Sequence, residues 1–203
     1  MQHYQIHHGF IELIVGCMFA GKTEELIRRV SVLKRGNRKV LSFKPKFDNR
    51  HKKQIIKSHS GGQIKAYEIP LENGIKAIET IIQEYEKKNE KINVLAFDEI
   101  QFFAPNFCDF IEQKANQGYQ IICAGLDKGY NDELFLTTMR LLSMAEFVSK
   151  LMAICVICGS MATKTQRINE KKEPIGPSEV TNVIGGAEVY QARCRKCYKH
   201  FNN

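Results

Sequence analysis

Short apolar runs alternate along the chain with stretches whose apolar residues recur every three or four positions. Ile11 to Val15 has the length of a buried strand and stops at a glycine. Leu26, Ile27, Val30 and Leu33 then fall on one helical face, with Arg28, Arg29 and Lys34 on the other, until Gly36 and Asn37 end the helix. Lys39 to Phe43 reads as the next strand, which gives strand, loop, helix, strand, the opening of a parallel α/β sheet. Ile75, Ile78, Ile81, Ile82 and Tyr85 mark a second amphipathic helix. Ile92 to Phe97 and Tyr119 to Ala124 are further strands, with a helix predicted between them over Phe107 to Ala115. Leu134 to Ala145 reads as a last helix and Phe147 to Ile154 as a last strand. Lys44 to Gly62 has little apolar content and is predicted as a long polar loop, which inside a compact domain is functional or mobile. There is no internal repeat and no low-complexity tract.

The character of the chain changes after Gly159, where a charged stretch and then Pro174, Gly176, Pro177, Gly185 and Gly186 replace the periodic pattern. This predicts a main domain over 1–154 and a small second domain over 155–203. The 203 residues suffice for such a domain and appendage, and 43% hydrophobic with 26% charged residues excludes a disordered chain. No run approaches the ~20 apolar residues of a membrane span. The stretch Met1 to Gly9 carries no apolar signal core, so a cytoplasmic protein without a membrane partner is expected. The formal net charge is +8, but lysines and arginines are scattered among Asp and Glu. A basic chain can bind nucleic acid or small phosphorylated ligands or simply stay soluble, and charges scattered in this way are weak evidence for nucleic acid, which is not expected as a partner.

Gly16-Cys17-Met18-Phe19-Ala20-Gly21-Lys22-Thr23 has the form G-x-x-x-x-G-K-[ST] between a strand and a helix. In that setting successive backbone N–H groups face one concavity, and the positive end of the helix dipole adds to them, which suits nucleotide phosphates. Lys22 has the reach for the β- and γ-phosphates, and Thr23 offers its hydroxyl to a bound Mg²⁺. Asp98-Glu99 ends an apolar strand, as the second element of such a site does. Asp98 can hold Mg²⁺ directly or through water. Glu99, next in line, can accept a proton from an attacking alcohol, or orient water if the protein is an ATPase. Phe102 and Phe103 follow, and one of the two is expected to stack on a flat substrate while the other packs in the core.

Seven cysteines divide into three single ones, Cys17, Cys108 and Cys123, and two C-x-x-C pairs, Cys155/Cys158 and Cys194/Cys197. Two such turns supply a closed four-thiolate Zn²⁺ site with no open position, hence a structural metal. The long gap between the pairs must loop out and return, which can lay backbone over a ligand. Cys17 reads as a small apolar filler in the glycine loop; a second reading, from its place at a helix N-terminus, is a thiol of lowered pKa whose oxidation would block nucleotide binding.

With these residues in view, the chain resembles thymidine kinases of the zinc-containing, P-loop type (type II). The resemblance runs from about Gly9 to Tyr198 and rests on M-F-A-G-K-T-E-E-L-I-R-R-V, K-P-K-F-D-N-R, D-E-I-Q-F-F, G-L-D, A-T-K-T-Q-R, V-I-G-G-A-E-V-Y and C-R-K-C in order. It implies a RecA-like, mostly parallel sheet flanked by helices, with a small zinc-binding lasso domain. It implies transfer of phosphate from Mg-ATP to the 5′-hydroxyl of thymidine, giving dTMP, with deoxyuridine also accepted and with feedback inhibition by thymidine triphosphate (dTTP). Glu99 would be the base and Gly16 to Thr23 the phosphate cradle. Asp98 would stand at Mg²⁺, with Ile100 and Gln101 beside it, and Asp48, Asn49 and Arg50 near the phosphates. Thr181, Asn182, Val183, Ile184 and Gly185 would form a lasso reading the thymine edge, and Met18, Phe102, Leu126, Tyr130, Phe135 and Tyr190 would line the nucleoside pocket. The family is typically homotetrameric.

Two departures from the family pattern stand out. Cys17 replaces a usual proline, and Tyr130 replaces a common phenylalanine, so its hydroxyl needs a partner or water. Cys197 stands where some members use His, and both bind zinc. A pocket that hydrogen-bonds a pyrimidine edge rejects purines strongly, whereas a missing methyl is worth only about 1–3 kcal/mol. Asp98-Glu99-Ile100-Gln101 also has the form of a helicase D-E-x-Q motif, but such motors need two nucleotide-fold lobes and this chain has room for one. A zinc-stabilised binding module with a regulatory P-loop is the third reading.

Overall fold

The computed structural model describes residues 8–46, 54–176 and 185–201. Its centre is a six-stranded sheet made of β1 (Phe10–Gly16), β2 (Val40–Pro45), β5 (Tyr67–Ile69), β6 (Val94–Phe97), β7 (Gln120–Leu126) and β8 (Phe147–Leu151), in the order β5-β2-β6-β7-β1-β8. Every neighbouring pair in it runs parallel. The central strands are buried on both faces, which is why they read as apolar runs. In β6, Leu95 and Phe97 face one core while Val94 and Ala96 face the other; in β7, Ile121 and Cys123 divide from Ile122 and Ala124 in the same way.

Helices α2 (Gly74–Glu86), α3 (Phe107–Asn116) and α4 (Leu136–Met144) lie on the first face, where Ile78, Ile82, Phe107, Ile111 and Leu141 are buried. Helix α1 (Lys22–Arg35) lies on the second face through Leu26, Ile27 and Val30. The parallel α/β architecture expected from the sequence is therefore present, with element ends within a few residues of the predicted ones.

Three differences have physical causes. The stretch predicted as a polar loop holds β3 (Ile55–Lys57), which pairs antiparallel with β4 (Gln63–Lys65). Each of these strands buries a single residue, Ile56 and Ile64, against the α1 face, too little to produce a readable period. The edge strand β5 was not predicted for the same reason. The predicted strand over Phe147 to Ile154 is two strands: β8 extends the main sheet, and β9 (Ala153–Ile154) turns away to pair with β10 (Met161–Ala162).

Beyond β8 the chain forms two small antiparallel ribbons, β9 with β10 and β11 (Lys164–Arg167) with β12 (Tyr190–Arg193). A third apolar cluster joins them to the loop after β1: Cys17 packs with Ala153, Cys155, Ala162, Ala192 and Cys194. Among the described residues no helix is long and apolar enough to cross a membrane.

Candidate active site

The carboxyl ends of β1, β6 and β7 meet at one edge of the sheet, where open parallel sheets bind ligands. From β1 the chain turns sharply through Gly16, at φ +155°; a Cβ there would come 2.4 Å from the carbonyl oxygen of Leu151. It enters α1 through Gly21, at φ +78°, and no side chain caps that helix start. The first N–H groups of α1 thus remain available to an anion. Lys22 folds back over the loop and donates to the carbonyl of Cys17 at 2.8 Å. Burial pushes its ammonium pKa down, opposed first by the charge of Glu99.

Asp98 follows β6 and is 6% exposed. Thr23 Oγ1 donates to its Oδ2 at 3.1 Å. Burial first, and then the charge of Glu99, pushes the Asp98 carboxyl up to about 7. A hydroxyl and a carboxylate held this close, with the carboxylate poorly solvated, suit a hard divalent cation. Glu99 sits at φ +54°, in the left-handed region that a non-glycine residue adopts at a cost of about 1–3 kcal/mol. That kink starts a 3₁₀ turn, Ile100–Phe102. Gln101 Nε2 donates to Glu99 Oε2 at 2.5 Å, and Gln101 Oε1 accepts from the backbone N–H of Leu126 at 3.0 Å. The carboxylate is thereby tied to the end of β7.

A cavity of about 290 Å³ opens between these groups. Gly21, Lys22, Thr23 and Glu99 line it together with Met18, Phe102, Leu126, Tyr130, Phe135, Gly185 and Tyr190. The sequence-predicted residues on four separate segments are thus brought to one void. Of the two phenylalanines, Phe102 faces the cavity, while Phe103 stacks on Phe107 in the core at 4.5 Å. The Tyr130 hydroxyl has its partner in Arg167, whose Nη1 donates to it at 3.3 Å.

Some expectations are corrected. The Ile100 side chain is fully buried in the main core just after the kink at Glu99 and does not line the cavity. Cys17 is 1% exposed, and its thiol donates to the carbonyl of Ala162 at 3.3 Å. Burial pushes that thiol up rather than down, so the filler reading stands and the oxidation reading falls. Asp48, Asn49 and Arg50, and Thr181, Asn182, Val183 and Ile184, lie outside the described residues.

The cavity also has walls that sequence reasoning missed: His59, Lys128, Asn131, Glu133 and Thr165. Thr165 Oγ1 accepts from the backbone N–H of Met18 at 3.1 Å, which ties the glycine loop to β11. The only sequence signal for it was its place within A-T-K-T-Q-R.

The four paired cysteines converge. The sulfurs of Cys155, Cys158, Cys194 and Cys197 all lie within 4.8 Å of one another, and those of Cys158 and Cys194 are 3.6 Å apart. Tetrahedral Zn²⁺ with Zn–S bonds of about 2.3 Å needs sulfurs about 3.8 Å apart, so this donor set fits zinc. Each pair sits on a tight turn: the Gly159 N–H donates to the Cys155 carbonyl at 2.9 Å and the Cys197 N–H to the Cys194 carbonyl at 3.1 Å.

A family model described as "Thymidine kinase" matches residues 9–198. The chain is 45% identical over 190 residues to a protein named thymidine kinase from Mycoplasma capricolum subsp. capricolum, covering 94% of this chain and 88% of that protein. A second protein of the same name, from Mycoplasma mycoides subsp. mycoides SC, is 43% identical over 190 residues with the same coverage, 94% and 88%. Among solved structures, the flagellar accessory protein FlaH from Methanocaldococcus jannaschii superposes with a TM-score of 0.48 at 14% identity, over 76% of this chain and 75% of that one.

Proposed function

The chain belongs to the thymidine kinase family and phosphorylates thymidine, and on that premise we propose that ATP is the donor, the 5′-hydroxyl is the acceptor and Glu99 is the base. One observation carries the reading: Lys22, Thr23 and Glu99 line a single cavity together with Phe102, Tyr130 and Tyr190. A triphosphate on the loop Gly16 to Thr23 would then present its last phosphoryl group beside a carboxylate, with aromatic faces beyond for a pyrimidine.

The roles divide accordingly. The backbone from Gly16 to Thr23 cradles the phosphates, and Lys22, released from the Cys17 carbonyl, turns its ammonium to them. Thr23 and Asp98 would hold Mg²⁺, which supplies neutralising charge to the phosphates. Glu99 accepts the proton of the 5′-hydroxyl as that oxygen bonds to phosphorus and the bond to the ADP oxygen breaks. Gln101 keeps the Glu99 carboxylate turned toward the acceptor. Met18, Phe102, Leu126, Tyr130, Phe135 and Tyr190 hold the nucleoside, with Thr181 to Gly185 over its base. Asp48, Asn49 and Arg50 complete the phosphate side. Deoxyuridine is accepted because one methyl discriminates weakly.

Residues 1–154 act as the P-loop nucleotide-binding domain and 155–203 as a capping domain whose zinc is structural; the closed four-sulfur set leaves no ligand position for water. dTTP, which joins the acceptor's base to the donor's triphosphate, is the end-product inhibitor. A cytoplasmic homotetramer fits the exposed apolar side chains along the sheet-edge strand β8 and just after it, among them Phe147, Val148, Met152, Ile154 and Ile157.

The test uses purified, zinc-loaded protein with γ-labelled ATP, Mg²⁺ and a panel of nucleosides. Label is expected in dTMP and in deoxyuridylate, and not in purine products. Absence of labelled dTMP would overturn the proposal, and DNA-stimulated ADP release without a nucleoside effect would point to a nucleic-acid motor instead.

A further inference from the structure

Two voids share one wall. Behind the cavity already described lies a second, of about 240 Å³, and Tyr130, Asn131 and Glu133 line both. The partition between them is a turn closed at its base by the Gly129 N–H donating to the Glu133 carbonyl at 2.8 Å. The turn has space on both sides, so packing alone does not fix how far its tip stands from the first cavity. Polar contacts from the far side do that.

Tyr198 Oη donates to the carbonyl of Tyr130 at 2.5 Å, a buried bond across 68 residues of sequence. Lys164 Nζ, itself 6% exposed as a residue, bonds both carboxylate oxygens of Asp132, at 2.6 and 2.5 Å. The two holders support each other, since the Lys164 ammonium lies 5.1 Å from the centre of the Tyr198 ring. Tyr198 follows the metal-site residue Cys197 directly, and its N–H donates to the carbonyl of Cys194 at 2.9 Å. A rigid cysteine turn thus aims one hydroxyl at the back of the wall.

From this we infer that Tyr198 and Lys164 are positioning residues that set the size of acceptor the site takes, by stopping the 130–133 turn from backing into the void behind it. The inference rests on Tyr130 lining the nucleoside pocket, as proposed above. With the Tyr198 hydroxyl gone, the turn keeps its internal Asp132 N–H to Gly129 carbonyl bond and Arg167 on the Tyr130 hydroxyl, but its tip is no longer tied to the cysteine turn and borders about 240 Å³ into which it can shift. Thymidine then meets a slacker wall, and acceptors with a larger base substituent gain room.

The experiment compares steady-state constants for thymidine, for 5-substituted deoxyuridines bulkier than thymidine, and for ATP. Tyr198→Phe keeps the ring and removes one hydroxyl; Lys164→Met removes the second holder by an independent route. For either variant the KM for thymidine is expected to rise about 5–10-fold, the effect of one lost hydrogen bond. The preference for thymidine over the bulkier acceptor, as a ratio of kcat/KM, should fall at least about fivefold by the same reasoning. The KM for ATP and the zinc content should stay at the parent values, and the melting temperature should fall by no more than the few degrees that one buried polar contact is worth. Both variants with parental thymidine KM and acceptor ratio would overturn the inference. So would a parallel rise in thymidine and ATP KM with a larger fall in melting temperature, which is the mark of general loosening. Phe102→Ala separates this from the pocket assignment, because Phe102 lines only the first cavity. If it raises the thymidine KM while Tyr198→Phe does not, the inference alone falls; if neither does, the pocket assignment falls with it.

Discussion

Gln101→Leu removes the amide that joins Glu99 to β7 while keeping side-chain bulk in a position only 8% exposed. Two contacts go at once, the 2.5 Å bond to the Glu99 carboxylate and the 3.0 Å bond from the Leu126 N–H. A hydrogen bond to a charged group is worth about 1.5–3 kcal/mol, and an amide left unpaired costs about 1–3 kcal/mol. Glu99 lines an open cavity and can recover water, so the net loss of stability is expected at roughly 1–3 kcal/mol, a few degrees in melting temperature for a chain of this size. The kinetic effect is the informative one. A carboxylate free to turn away from the acceptor loses orientation worth about 10–100-fold in kcat, less than loss of the base itself. Initial rates with saturating Mg-ATP and varied thymidine measure it, with calorimetry on the same preparation. The KM for ATP should not move. A folded Gln101→Leu variant with kcat within about twofold of the parent, while Glu99→Gln is impaired, would refute the clamp.

Glu99→Gln should spare ATP binding, followed by calorimetric titration, and cut kcat by roughly 10²–10⁴; unchanged turnover would remove Glu99 from the role of base. Cys158→Ser should lower zinc content and melting temperature before it touches chemistry, and a chelator should do the same to the parent protein. Loss of rate with zinc and melting temperature intact would contradict a structural metal. The bonds from Arg28, and then Arg29, hold the Glu25 carboxyl down to about 2 from its ordinary 4.5. A depressed carboxyl stabilises the folded state above its unfolded value, and that contribution fades as pH falls from 4.5 toward 2. Glu25→Gln should therefore destabilise the protein at pH 6, with the difference shrinking across that window; a constant difference in denaturant midpoint would refute the assignment.

The sheet could be read in advance because strands such as β6 and β7 are buried on both faces and must be apolar throughout. The β3–β4 hairpin could not, because its one buried residue per strand is indistinguishable from a loop with a few scattered isoleucines. On the donor side of the site, Lys22 and Thr23 lie within one contiguous motif, and Asp98 and Glu99 within another. Adjacency misled only at Ile100, whose side chain lies in the core one residue after a positive φ. The opposite wall depends on contacts between distant segments. Nothing local to Thr165 or Met18 announces a bond across 147 residues, and nothing near Tyr198 announces one across 68. The resemblance to a family carried Met18, Phe102, Tyr130 and Tyr190, which periodicity and spacing could not, and it left Thr165 and Tyr198 without a role.

The glycine loop is sewn to the chain's last fifty residues twice, by the Met18 N–H on Thr165 and by the Cys17 thiol on Ala162. Transplanting that terminal segment from one relative to another is therefore not a modular exchange. A donor segment that faces a proline at position 17 in its own chain supplies a seam cut for a different thread, and the hybrid would misalign its glycine loop even with every side chain of the site in place. Productive recombinants should be those in which the loop travels together with the strands it is stitched to.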